Sequence, residues 1–165
     1  MKKIIVLMLL LLPFGLMAQE IKVAVVNAGE VFNLMPETSA LESEMATMRQ
    51  QYEREAKAME DEYTRKYSDL ALQSDSLTDN IRRIRIQEIE DIQTRLQNFV
   101  PMAQEAMEKR QRELYLPIEE KIQKVIKEVG DENGYTFIIN PQYFLYQGNG
   151  VIDATEKVKA KLGLR

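Results

Sequence analysis

The chain has 165 residues, with 22 basic and 26 acidic side chains and a formal charge of −4. It contains no Cys and no His. That composition excludes disulfides, thiol nucleophiles, and the side chain most often used as general base or metal ligand.

Lys2 and Lys3 precede an apolar run, Ile4 to Met17, interrupted only by Pro13 and Gly15. With Ala18 as the small residue before a cut, residues 1–18 have the pattern of a signal peptide that is removed on export. Leu16 is larger than a cleavage site prefers, so the exact bond stays open. An uncleaved anchor is the other reading. It fits less well, because the run is short and broken for crossing about 30 Å of hydrocarbon. Cleavage would remove two lysines and no acid, leaving 20 basic and 26 acidic residues and a charge of −6.

Ile21 to Asn27 is β-like, with Val23, Ala24, Val25 and Val26 nearly continuous. Such a run suits a strand buried on both faces. Asn27 fits a helix N-cap, with Glu30 three residues on as its capping-box partner. A short helix through Val31, Phe32 and Leu34 would then stop at Pro36.

From Glu37 to Gly130 good helix formers dominate, and no Gly falls between Glu30 and Gly130. Leu41, Met45, Met48, Tyr52, Ala56, Met59, Tyr63, Tyr67 and Leu70 form an apolar stripe with spacings 4, 3, 4, 4, 3, 4, 4 and 3. This eleven-residue repeat gives about 3.67 residues per turn, hence a nearly straight or slightly right-handed seam. The repeat returns in Ile81, Ile92, Ala103, Leu114 and Val125, and in Leu96, Met107, Ile118 and Val129.

Two striped helices bury each other's apolar faces. The stretch between them, Gln73 to Asp79, is the most turn-like of the region, and Asp75 to Thr78 can supply caps. The spacing predicts an antiparallel hairpin over residues 37–117 that turns near 74–76. A single continuous helix in a parallel coiled coil is the alternative. Pro101 and Pro117 lie in the returning helix, and each removes a backbone donor. The repeat runs through both, which predicts bends rather than ends, with Pro101 as a hinge and Pro117 near re-entry into the body.

The helix is expected to end near Gly130, with a turn at Asn133-Gly134. Tyr135 to Asn140 is rich in β-formers, and Tyr143 to Tyr146 is a second candidate strand. Asp153 or Thr155 can cap a last helix that carries Val158 and Leu162 and closes at Gly163. The fold class is therefore α+β. A small β-containing body, residues 19–36 with 118–165, carries a long helical hairpin arm.

Neither a G-x-x-x-x-G-K phosphate loop nor G-x-G-x-x-G occurs. Acidic pairs such as Glu53/Glu55 and Glu88/Asp91 read as solvated helix faces. No cofactor, metal or catalytic group is implied, and an enzyme is not expected. Between Glu37 and Pro117 the arm carries 12 basic and 17 acidic residues, which argues against nucleic acid. The tip sequence Ile81-Arg82-Arg83-Ile84-Arg85-Ile86 places apolar residues around the whole helix. Either these pack the tip, or they form an apolar and basic contact surface. Methionines 45, 48, 59, 102 and 107 carry the same two readings, core or adaptable surface.

The order of these motifs resembles the Skp (OmpH-like) family of periplasmic chaperones over essentially the whole chain after residue 18. The residues that carry the resemblance are Lys22-Val-Ala-Val-Val-Asn27, Glu30-Val-Phe32, the charged hairpin, Tyr135-Thr-Phe-Ile-Ile-Asn140 and Val151-Ile-Asp-Ala-Thr155. The resemblance implies a jellyfish-shaped homotrimer that holds unfolded outer-membrane proteins without ATP. It makes Val23, Val25, Phe137 and Ile139 candidates for the oligomer body. It makes Leu70, Leu72, Ile81, Ile84 and Ile86, with Arg82, Arg83 and Arg85, candidates for client contact. Well-known members are basic, whereas this chain has a pI near 5.1, which argues against binding acidic lipid or lipopolysaccharide. A structural adaptor or spacer of the cell envelope is the rival reading.

Overall fold

A computed structural model describes residues 21–73 and 76–164. The expected cut at Ala18 lies outside them. Strand β1 is Val23–Val25, shorter than the β-like run around it. The Asn27 side chain accepts from the Glu30 amide at 3.1 Å, and its amide group donates to the Glu30 carboxylate. That reciprocal cap starts helix α1, Ala28–Leu34. Pro36, read from sequence as a stop, is instead the first residue of α2, Pro36–Gln73. A proline costs nothing there, since the first helical amides have no partner within the helix. The corner between the two helices is held by the buried Thr38, whose hydroxyl donates to the Phe32 carbonyl at 2.6 Å.

Helix α3 runs from Asp79 to Asn133, continuous through Pro101 and Pro117, with Thr78 as its side-chain N-cap. Its end corrects the expectation at Gly130. Gly130 lies inside the helix, where an added Cβ would sit 3.2 Å from the Ile138 side chain. The missing side chain lets the helix lie close on the next strand. Termination falls at Gly134, whose φ of 65° is left-handed. Strand β2 follows at Phe137–Ile139.

Tyr143 to Tyr146 is not a strand. A 3₁₀ turn occupies Pro141–Tyr143, capped by the Asn140 side chain, and Phe144 to Tyr146 is irregular. The remaining strand, β3, is the short pair Ile152–Asp153. Helix α4, Thr155–Leu162, closes at Gly163 as expected. Its cap residue is Ala154, with no side-chain bond, while the neighbouring Asp153 carboxylate accepts from the Thr155 amide at 2.9 Å.

The sheet is parallel, in order β2-β1-β3. One face packs on helices. Ala24, Val26, Val31, Met35, Ile118, Ile122, Val129, Ala154 and Val158 form its core cluster. Both ends of the chain therefore build one body. The arm has a core of its own between α2 and α3, with the buried Met45 beside Phe99 and Ala103 toward the body and Ile89 and Ile92 buried nearer the tip.

Candidate functional site

The arm is antiparallel. Partners across it fall in reversed order: Glu37 with Lys121, Glu44 with Arg110, Glu62 with Arg95, and Lys66 with Glu88. Tyr52 meets Phe99 edge-on, with ring centroids 5.8 Å apart. The reversal lies between Gln73 and Asp79. Of the expected turn at 74–76, Ser74 and Asp75 lie outside the described residues, and the Ser76 hydroxyl donates to the Gln73 carbonyl at 2.9 Å.

The four cross-arm ion pairs share one edge of the hairpin. On α2 they use Glu37, Glu44, Glu62 and Lys66, whose separations of 7, 18 and 4 residues keep all four within about 40° of one direction around the helix. Each pair is solvent-exposed and screened, so they align the helices more than they stabilise them. Stability comes from the buried seam. Phe99 and Ile89 belong to it although the eleven-residue stripes omit them. The run 89, 92, 96, 99, 103, stepping by 3 and 4, is the sequence signal that finds them.

At the far end, Leu72 is 86% exposed, and Ile81, Ile84 and Ile86 are also exposed. Leu70 is half-buried. Arg83 donates to the Asn80 side chain and Arg85 to the Gln73 side chain, both neutral partners, and Arg82 is half-buried nearby. The tip thus collects apolar surface and guanidinium groups. Pro101 is exposed within α3, about midway between tip and body.

On the body, strand register brings Val23 beside Phe137 and Val25 beside Ile139. Side chains alternate along a strand. Ala24 and Ile138 face the helices, so these four point to the opposite face of the sheet. Phe137 is 57% exposed there, whereas Val25 is buried. In the segment between β2 and β3, Leu145 is fully solvated and Tyr146 largely exposed, while Tyr143 borders a cleft against α1 and α3 with Phe32, Tyr115 and Ile122.

Polar clamps fix the body around this face. The Asn27 amide donates to the buried Thr155 hydroxyl at 3.0 Å, tying β1 to α4. Lys159 bonds Glu156 at 2.8 Å and also Glu30, and those bonds hold its ammonium above the usual lysine range. Lys161 bridges α4 to Glu132 and Glu128 on α3. Two carboxyls lie below their ordinary range. The hydrogen bond from Lys121 lowers Glu37, and the bonds from the Thr155 side chain and backbone lower Asp153.

A carboxyl depressed in the fold contributes stability above its unfolded value, and loses that contribution as pH falls through the folded one. The melting temperature should therefore drop once pH passes below the ordinary carboxylate range. A Glu37→Gln/Asp153→Asn chain should be less stable at neutral pH and show a shallower drop in circular-dichroism melts. An unchanged slope would remove these two groups from the acid response.

Among the described residues, no group of three or more acidic side chains is placed to hold a metal ion, and no helix is long and apolar enough to cross a membrane. The architecture defines a class: an α+β protein with a small parallel sheet, a paired-helix arm, and apolar surface at both extremes. Residues 22–162 match the family described as outer membrane protein (OmpH-like), and the chain belongs to that family. A solved OmpH-like structure from Caulobacter crescentus CB15, provisionally named an outer membrane chaperone, shares the fold. The match has a TM-score of 0.75 at 12% identity, over 86% of this chain and 83% of that one. No curated protein matches the chain.

Proposed function

We propose that this protein is an ATP-independent holdase chaperone of the periplasm. It binds unfolded outer-membrane proteins and keeps them from aggregating. It reaches that compartment through a signal peptide cleaved near Ala18 and works as a homotrimer joined through its sheets. The observation that carries the reading is the arm tip, where Leu72, Ile81, Ile84 and Ile86 stand exposed at the end of a long lever. Scattered single apolar residues are ordinary on a surface, but a cluster at an extremity is a contact site. Membership in the OmpH-like family and the likeness to the Caulobacter crescentus protein support it.

The physical logic needs no fuel. Several shallow apolar contacts hold a client by effective concentration, while each exchanges quickly and lets the client leave for a better state. The acidic charge favours basic clients over acidic lipid or lipopolysaccharide.

The test is light scattering from an unfolded β-barrel protein diluted out of urea. Near-stoichiometric chain should suppress the signal without nucleotide. Leu72→Glu/Ile84→Glu should raise the amount of chain needed about tenfold, since each charge replaces apolar contact worth roughly 1 kcal/mol or more. No suppression by the unaltered chain, combined with tight binding to one folded envelope protein, would make it a spacer instead.

A further inference from the structure

The hairpin has two unlike edges. One is bridged by the four cross-arm ion pairs and holds a charged cleft among Glu62, Lys66, Glu88 and Arg95. The other opens as an apolar groove of about 580 Å³ in the half of the arm nearest the body, and none of the eight ion-paired residues lines it. Met45, Tyr52, Phe99 and Met107 form its walls. Small side chains at Ala46, Ala56 and Ala103 keep it open, where larger ones would fill the gap between the helices. Val100 lines it while 55% exposed, so apolar surface faces water along its length.

The rim is charged unevenly. Glu42, Glu53 and Glu108 border the groove against the single cation Arg49. Glu108 approaches Arg112 only at 3.9 Å, with both side chains mostly exposed. The groove therefore presents thioether and aromatic walls under a net negative rim. Its α2 wall, Leu41 to Ala56, spans about 22 Å, which accommodates roughly six or seven residues of extended chain.

We propose that this groove is the side-chain-selective grip of the arm. Its occupant is an extended segment of unfolded polypeptide with an aromatic or long aliphatic residue flanked by Lys or Arg. Methionine walls adapt to different apolar shapes, and the carboxylate rim supplies the charge preference. This inference rests on the holdase reading and adds to it which segments of a client are held and where. A second copy of this chain is the competing occupant, but a chain of net charge −4 is a poor match for a net negative rim.

The chain has no Trp, so a peptide's own Trp reports its environment without background. Two peptides are compared, each with one central Trp in an apolar stretch, flanked by Lys in one and by Glu in the other. With the full-length protein at low salt, the Lys-flanked peptide should shift to the blue and bind about tenfold tighter, the difference shrinking as salt rises. Val100→Glu should abolish the shift. Glu42→Lys/Glu53→Lys/Glu108→Lys, changing exposed residues only, should reverse the preference. Equal binding of both peptides, or a preference unmoved by the triple variant, would overturn the proposal. So would a Val100→Glu chain that binds normally but sediments as a smaller species, which would assign the groove to self-contact. If the unaltered chain still suppresses aggregation in the scattering assay, such outcomes sink the groove and spare the holdase reading. If it does not, the holdase reading itself has failed.

Discussion

A Val158→Asp chain will lose its body while keeping much of its arm. Val158 has no solvent exposure, and it belongs to the cluster that joins β1, α1, α3 and α4. A carboxylate there enters a cluster that includes Ala24, Val26, Ile122 and Val129, none of which can donate a side-chain hydrogen bond. The unpaired buried charge, with the valine contact also gone, costs about 4 kcal/mol or more. That is a large share of the roughly 5–15 kcal/mol that holds a typical domain together. The arm core of Met45, Ile92, Phe99 and Ala103 lies apart from the change. Far-ultraviolet dichroism should therefore keep most of its helical signal at low temperature. Trypsin should cut rapidly at Lys157, Lys159 and Lys161, which ion pairs and hydrogen bonds otherwise hold against α1 and α3. Val158→Ala, which leaves a small cavity and no charge, should cost about 1–2 kcal/mol and keep those sites protected. A Val158→Asp chain that resists trypsin like the parent would show that α4 is dispensable to the body.

What could be read in the sequence divides along range. The Asn27 N-cap and the stop at Gly163 depend on residues a few positions apart and appear as expected, while the arm stripe faces inward except toward the tip, where Tyr67 and Ile81 are exposed. Hairpin pairing was also legible, because two stripes of one period leave each other as the nearest apolar partner. Tyr143 to Tyr146 was misread because β propensity records what a residue favours once a neighbouring strand exists. Among the described residues no strand pairs with it, and Pro141 with the Asn140 cap turns the backbone first. Strand β3 was invisible for the converse reason. Two residues carry no period, and Ile152–Asp153 is a strand because Ala24 and Val25 offer it an edge. Gly130 looked like a helix end, yet a mid-helix glycine costs only about 1 kcal/mol, and the close approach of Ile138 outweighs that. The exposure of Ile81, Ile84 and Ile86 could be read from the excess of isoleucines over one seam. The groove could not, because an apolar stripe does not say which of its two edges the charged residues will close.

Phe137→Glu should reduce the proposed trimer to single chains. The argument starts from the sheet. Parallel strands are almost always covered on both faces, because their backbone and side chains form a core in the middle of a protein. Here helices cover one face, through Ala24 and Ile138. The other carries Val23, Val25, Phe137 and Ile139, of which Val25 is buried within the chain while Phe137 stands largely in water. A body of roughly 60 residues has a marginal core by itself, and burying this surface against copies of itself is the direct way to enlarge it. Removing one phenylalanine from such a contact costs about 2–3 kcal/mol per site. Closed symmetry repeats the substitution in every subunit, and adds a carboxylate that must be desolvated each time. Sedimentation at micromolar concentration should then report the mass of one chain. The melting temperature should also lose its dependence on protein concentration, which an assembly of folded subunits otherwise imposes. Phe137→Leu keeps the apolar surface and should preserve the assembly. Equal sedimentation of the Glu variant and its parent, both as trimers, would place the contact elsewhere. A parent that is itself a stable monomer would show that this sheet folds with Phe137 left in water.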